Sequence, residues 1–347
     1  MLMQFFIYGF LVVIIAVLIF VLWMQCQQTS RYRGPLTDHF DGKKFFNPAP
    51  YRLHASTDIL HWMFKRQKAK WPAKVSNTAT PDLSPVPADN IKVTFVNHAT
   101  VLVQTEHLNF LTDPIWSERT SPYSWIGPKR VRDPGIRFAD LPKIDVVLIS
   151  HNHYDHLDLA TLKKLAQRFH PLILVPLGDK DLLTRHGIDN VMELDWWQST
   201  SIKNHRITFL PTQHWSARGL NDKFNTLWGS YGIEIAKQKI YFAGDTGYSA
   251  NFKLIQQRWG APDLALLPIG SYLPAWFMGQ NHMNPLQATM AHKDLGAKHS
   301  IAIHFRTFQL SDESIDQPVI DLQKAISAQQ LAADAFVVLA EGESRLF

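Results

Sequence analysis

The rhythm of apolar and polar positions changes twice along the chain. Residues 5–24 form one uncharged apolar run, and about twenty such residues suffice for a helix to cross a bilayer. A single-pass N-terminal transmembrane anchor over residues 1–26 is therefore expected. Trp23, Met24 and Gln25 before Cys26 offer neither the small residues of a signal-peptidase site nor a good lipoprotein site. Residues 27–90 then lose all regularity, because Pro35, Pro48, Pro50, Pro72, Pro81, Pro85 and Pro87 interrupt any helical period. This stretch is predicted to be a membrane-proximal arm or linker. Within it Leu60, Trp62, Met63 and Phe64 stand among Lys65, Arg66, Lys68 and Lys70, a pattern suited to an amphipathic helix lying either on a membrane or against the main domain.

From residue 91 the pattern becomes that of a folded α/β domain. Ile91, Val93 and Phe95 alternate with polar residues, and Val101–Leu102–Val103 and Phe110–Leu111 follow, predicting a β-hairpin and a third strand. The apolar runs at 145–150, 207–210, 239–243 and 299–303 read as buried strands, each ending abruptly in polar residues. Leu159, Leu162, Leu165, Ala166 and Phe169 recur at helical spacing after Asp158, a good N-cap. Asn284, Pro285 and Gly296 bracket a second helix over 286–295. A last helix is predicted over 312–330 and a last strand over 335–339.

With 347 residues, 46% hydrophobic and 12% aromatic, the chain has enough core for one large domain or two small ones and is not a disordered one. The net charge of +5 suits anionic lipid, phosphate or nucleic acid, and equally an ordinary basic protein. Lys129, Arg130, Arg132 and Arg137 crowd one loop-like stretch, which reads as a headgroup site or a solvated surface. No Lys or Arg precedes the apolar run, whereas Arg31, Arg33, Lys43 and Lys44 follow it, so the positive-inside rule puts the body on the cytoplasmic face. The single cysteine, Cys26, excludes an internal disulfide framework and a thiolate zinc cluster.

The four strand exits carry the chemistry. His151, His153, Asp155 and His156 crowd into six positions after the first, and His214, Asp245 and His304 follow the other three. Imidazole and carboxylate donors suit zinc, iron or manganese, without choosing among them. His282 follows the apolar loop Tyr272–Met278, and is either a catalytic group or a surface histidine beside a helix cap.

HNHYDH at 151–156, His214, Gly244–Asp245–Thr246 and His304 resemble the ligand set of the metallo-β-lactamase superfamily over residues 91–347. The stretches 125–130, 193–197, 211–215, 227–230, 242–248, 268–272 and 342–345 resemble its N-acyl-phosphatidylethanolamine-hydrolysing phospholipase D branch. The resemblance implies a four-layer αββα sandwich and a zinc phosphodiesterase that releases an N-acylethanolamine and phosphatidic acid, in many members as a homodimer. Carried over residue by residue, His151, His153 and His214 would hold one Zn2+ and Asp155, His156 and His304 the other, with Asp245 bridging. Two such ions lower the pKa of a shared water from about 15.7 towards 7 and so make a hydroxide available against phosphorus. Asp155 enters the catalytic set as a ligand. His282 would bind the phosphoryl group or protonate the leaving group. Tyr154, Trp215, Tyr272, Trp276, Phe277 and Met278 would line an apolar groove for a phospholipid at the membrane, each of them also an ordinary core residue by type. Another hydrolase on the same scaffold, such as a sugar-phosphate lactonase or a nuclease, and a non-enzymatic membrane scaffold are the alternatives. The large basic surface a nuclease requires is not evident, so no nucleic-acid partner is expected.

Overall fold

β1 (Lys92–Asn97) and β2 (Thr100–Gln104) are buried along their whole length, and their side chains part to opposite faces with a period of two. Val93, Phe95, Val101 and Val103 enter one core while Val96 and Leu102 enter a second. β3 (Asn109–Thr112), β4 (Val146–Leu148) and β5 (Leu172–Pro176) divide in the same way: Val146, Leu148 and Leu174 join the first core, and Val147, Ile173 and Val175 the second. Burial on both faces is why these strands read as continuous apolar runs rather than as alternations. The structure, a computed structural model, describes residues 8, 12–15 and 27–347 apart from 50, 53, 88, 89, 220, 236 and 237.

β6 (Val191–Leu194) completes this half, and β7 (Ser199–Ile202), β8 (His205–Leu210), β9 (Ser230–Ile235), β10 (Gln238–Phe242), β11 (Leu264–Pro268), β12 (His299–Ile303) and β13 (Phe336–Val337) make the other. β14 (Ser344–Leu346) returns to pair with β1, giving two seven-stranded sheets in the orders β14-β1-β2-β3-β4-β5-β6 and β13-β12-β11-β10-β9-β8-β7. Both are mixed. β3 through β6 and β10 through β13 are parallel, and the remaining pairs are antiparallel. Phe209, Tyr231, Phe242, Leu266 and Ile301 of the second sheet share the first core with β1 and β2, so the sheets face one another.

α1 (Ser56–Lys65) lies in the arm. Parallel neighbours need crossovers, and helices supply most of them: α2 (Leu159–Phe169) and α3 (Lys180–Arg185) in the first half, then α4 (Asn251–Arg258) after β10. The short α5 (Ala275–Met278) and α6 (Pro285–Leu295) precede β12, and α7 (Gln317–Ala328) precedes β13. Leu159, Leu162 and Leu165 of α2 and Leu182 and Leu183 of α3 cover the outer face of the first sheet. Asp158 caps α2 by accepting the Ala160 N–H at 3.1 Å. Asn284 and Gln287 form a capping box on α6, which ends at Gly296 with φ +64°. The result is an α/β fold of two mixed sheets packed face to face, in keeping with the sandwich the resemblance implies.

Three expectations change. α7 begins at Gln317 rather than 312, because Asp312 accepts bonds from Arg66 and the Gln67 N–H while Glu313 accepts the Ser271 N–H at 2.6 Å. Those tertiary bonds hold residues 312–313 out of the helix, and Pro318 sits in its first turn. The strand expected over 335–339 shrinks to Phe336–Val337 and is not the last, since Ser344–Leu346 follows it and pairs with β1. The single-pass membrane anchor, and the membrane localisation and cytoplasmic-facing body built on it, are not supported: among the described residues no helix is long and apolar enough to cross a membrane. Of the run 5–24, only residues 8 and 12–15 are described, as short helical pieces, and the remainder lies outside the described residues.

Candidate metal centre

Strand direction brings the four exits to one edge. β8 is antiparallel to β9 and β9 to β10, so β8 and β10 point the same way, as do β10, β11 and β12. His214, Asp245 and His304 therefore leave the second sheet on one side, facing the loop that follows β4. The sheets touch there: the Gly229 N–H donates to the Ser150 carbonyl at 2.9 Å, and the Tyr231 hydroxyl to that of Ile149 at 3.0 Å. Gly244, with φ +60°, sits in the same contact, where a Cβ would meet that of Ser150 at 2.4 Å. Only glycine allows both the left-handed backbone and this approach.

Two groups of side chains meet at this edge. In the first, His151 Nε2 lies 2.8 Å from His153 Nδ1, which lies 3.3 Å from His214 Nε2. His214 Nδ1–H donates to the Asn281 carbonyl at 3.1 Å, and His151 Nδ1 is engaged with Ser150 Oγ at 2.9 Å. His151 and His214 thereby carry their protons on their far nitrogens, and their inward lone pairs converge with His153 Nδ1 on one space. Such an arrangement is repulsive unless a cation sits among them. In the second group Asp155 Oδ2 lies 3.3 Å from His156 Nε2 and 3.4 Å from His304 Nε2. Asp245 joins the groups: Oδ2 is 3.2 Å from His156 Nε2, 3.8 Å from His214 Nε2 and 4.0 Å from His151 Nε2, while Oδ1 is 3.2 Å from His304 Nε2. His156 Nε2, His304 Nε2 and Asp245 Oδ1 are buried without a hydrogen-bond partner. Buried polar atoms left this way call for another ligand, and this donor set fits divalent cations.

The electrostatics agree. Burial drives His151 and His214 well below the ordinary histidine value and His153 down to about 4, so these three are neutral donors at pH 7. For His156 and His304 burial is outweighed by neighbouring carboxylates, chiefly Asp245. The first is held well above its ordinary value and the second raised to about 9. Asp155 and Asp245 go the opposite way, burial being outweighed first by His156. Where no metal is bound, the carboxylates draw protons onto the imidazoles, which marks this as a place for positive charge.

His282 stands at the open side, its Nδ1 3.7 Å from Asp245 Oδ2 and without a hydrogen-bond partner, its ring 5.3 Å from that of His214. Trp215 packs edge-on against His153 at 4.4 Å. The Tyr154 hydroxyl donates to the Arg218 carbonyl and its ring lies under the Arg218 guanidinium, on the wall of a cavity of about 520 Å³. Tyr272 is buried with its hydroxyl on Asp321 at 2.7 Å. Phe277 stacks on Trp62 of α1 at 4.9 Å, and the half-exposed Trp276 lines a cavity of about 280 Å³ with His61, Trp62 and Arg66. Met278 is partly buried, its carbonyl accepting the His282 N–H at 3.0 Å.

The arm reaches this region as well. Asn47 donates to the His214 carbonyl, Tyr51 to Asn281 Oδ1, and His54 to the Phe277 carbonyl. Of the two placements open to α1, Trp62 faces the domain, while Ile59, Leu60, Met63 and Phe64 are exposed.

Two buried neighbours of the cluster have no place in the sequence-derived set. Asp113, directly after β3, accepts His156 Nδ1–H at 2.6 Å, Ser150 Oγ–H at 2.6 Å and the Ser150 N–H at 2.7 Å. A carboxylate behind a ligating imidazole fixes its tautomer and orientation. His98, in the β1–β2 turn, places Nε2 3.0 Å from Asp155 Oδ2. Farther out, Arg218 donates to the carbonyls of Asn152 and Leu157, and Asn152 donates to Asp179, clamping the loop that carries HNHYDH.

Residues 108–305 match the beta-lactamase superfamily domain. The chain is 39% identical over 264 residues to N-acyl-phosphatidylethanolamine-hydrolyzing phospholipase D 1 of Caenorhabditis elegans, covering 72% of this chain and 74% of that one. It is also 39% identical over 218 residues to the mitochondrial N-acyl-phosphatidylethanolamine-hydrolyzing phospholipase D of Saccharomyces cerevisiae, over 61% of this chain and 46% of that one. In fold it is similar to the metallo-beta-lactamase fold protein YhfI of Bacillus subtilis, with a TM-score of 0.53 at 18% identity, over 75% of this chain and all of that one. With the cluster above, these likenesses show a metal-dependent phosphodiester hydrolase, and the chain belongs to the beta-lactamase superfamily, in its family of N-acyl-phosphatidylethanolamine-hydrolysing phospholipases D.

Proposed function

We propose that this enzyme hydrolyses N-acyl-phosphatidylethanolamine to an N-acylethanolamine and phosphatidic acid at a site for two Zn2+. The reading is carried by Asp245, whose two oxygens reach His304 on one side and His156 and His214 on the other, together with the substrate for which the relatives are named. His151, His153 and His214 would hold one cation and Asp155, His156 and His304 the other, with Asp245 shared. When bound, the pair supplies Lewis acidity towards the phosphoryl oxygens and acidifies a water towards neutrality.

The chain's own residues do the rest. Ser150, Asp113 and Asn281 fix which nitrogen of His151, His156 and His214 faces inward, so the donors are preorganised before substrate arrives. Burial, only partly offset by Asp245, lowers His282 to about 4, so at pH 7 it meets substrate as a neutral imidazole. That favours a hydrogen bond from His282 to a phosphoryl oxygen over proton delivery to the leaving group. Trp215 beside His153, and the Trp62–Phe277–Trp276 group next to the His282 loop, offer apolar surface for acyl chains.

Lipidomics on cells producing the wild type or Asp245→Asn tests the reading. N-acylethanolamine and phosphatidic acid are expected to rise with the wild type alone. Equal levels in the two strains, with both proteins folded, would rule out this substrate.

A further inference from the structure

His98 occupies a turn that ordinarily favours glycine or asparagine. The β1–β2 connection holds it at φ +45°, a left-handed backbone uncommon for residues other than glycine. The conformation is tied down at both ends: the His98 N–H donates to Thr307 Oγ1 at 2.9 Å, and its carbonyl accepts the His304 N–H at 2.7 Å. The ring is buried, with Phe308 edge-on at 5.3 Å. It points into the cluster, where His98, Asp155, His156 and His304 each bring one donor atom within 4.8 Å of the others.

The ring serves two neighbours. His98 Nε2 is 3.0 Å from Asp155 Oδ2, while its Nδ1 is buried without a partner. An orphaned N–H is costlier than an orphaned lone pair, which places the proton on Nε2, donating to Asp155. His156 and His304 each meet both Asp155 and Asp245, so a cation belongs between the two carboxylates, whereas His98 meets Asp155 alone of the two. The second neighbour is His304. His151, His156 and His214 each have Nδ1 held by Ser150, Asp113 or the Asn281 carbonyl, but His304 Nδ1 has no hydrogen-bond partner. What orients this ring is packing, and the His98 ring lies against it at 4.0 Å.

We propose that His98 is a positioning residue for the cation held by Asp155, His156 and His304, aiming the Asp155 carboxylate through Nε2–H and fixing the rotation of the His304 ring by contact. The assignment rests on the two-metal reading of the cluster. It separates the two positions, since His98 touches no ligand of the His151–His153–His214 group. Loss of such an outer partner typically lowers metal affinity about 10- to 100-fold.

The test titrates Co2+ into the metal-free full chain and follows the visible ligand-field absorption, which reports coordination at each equivalent. His98→Asn is the principal variant, because asparagine accepts the left-handed backbone yet is too short to reach Asp155. His98→Ala is run beside it, and whichever retains the wild-type near-ultraviolet circular dichroism is read. The equivalent abolished by Asp155→Asn marks the second position. Wild type that binds fewer than two equivalents would overturn the two-metal reading itself. Given two, that equivalent is expected to weaken by about 10- to 100-fold with an altered band, and the other to be unchanged. Unchanged affinity at both, or equal weakening of both, would overturn the role of His98 and leave the two-metal reading standing.

Discussion

Asp113→Asn should weaken one metal position far more than the other. The wild-type carboxylate accepts three hydrogen bonds with no exposed surface, two from Ser150 and one from His156 Nδ1–H. Asparagine keeps the shape but turns one acceptor into a donor. If its oxygen stays with the Ser150 N–H, its NH2 faces His156 Nδ1–H, donor against donor. The conflict is relieved when the imidazole moves its proton to Nε2, the atom 3.2 Å from Asp245 and 3.3 Å from Asp155 that is needed as a metal ligand. Leaving one buried polar group unsatisfied costs about 1–3 kcal/mol, which is roughly 5- to 150-fold in affinity at 1.4 kcal/mol per factor of ten. Competition against a fluorescent zinc chelator, with metal content measured after dialysis, reads the loss position by position. It should concentrate on the Asp155–His156–His304 position, with a smaller change at the other passed through Ser150 to His151. Wild-type affinity at both, or selective loss of the His151–His153–His214 position, would refute the tautomer argument.

Metal uptake should release protons at pH 7. His304 is raised to about 9, burial being outweighed by Asp245 and Asp155, and His156 is held well above its ordinary value, so each must lose a proton before it can ligate, and below about 9 apparent affinity should climb with pH by up to about a hundredfold per unit. Calorimetry in two buffers of different ionisation enthalpy would show the released protons; identical apparent enthalpies would contradict the prediction. Leu165→Ala, which empties a fully buried position between α2 and the first sheet, should lower the stability of the metal-loaded protein by about 2–5 kcal/mol in denaturant titration. Trp62→Ala removes the ring stacked on Phe277 and should speed amide exchange across residues 275–283 while leaving β1 and β2 protected. Equal protection of that loop in both proteins would show that the arm does not brace it.

The metal loop, the strand exits and most of the helices were legible because each is written in a short stretch of chain. An apolar run that stops at a histidine, or an Asn–Pro pair eleven residues ahead of a glycine, carries its own physical reason. The start of α7 was not legible, since residues 312–313 leave the helix only for the sake of Arg66 and Ser271, far away in sequence. The arm was legible only in part for the same reason: its prolines speak of irregular backbone, but whether irregular backbone is loose or docked depends on distant partners such as Asn281 and Phe277.

Asp113 and His98 show where the boundary lies. Asp113 closes β3 as Asp245 closes β10, an apolar run ending in a carboxylate, so the signal was present. What the sequence lacked was the parallel register pairing Thr112 with Leu148, which sets Asp113 beside Ser150 across 37 positions of chain. His98 offered a subtler sign, a bulky imidazole in a two-residue turn between buried strands, where glycine or asparagine would be the cheaper choice. A costly residue in a turn points to a task for its side chain, and here the ring lies against Asp155 and His304, two proposed ligands of one cation. The proposed ligands are thus legible as a motif, whereas the groups that aim them depend on register and turn geometry and become visible only once the sheets are built.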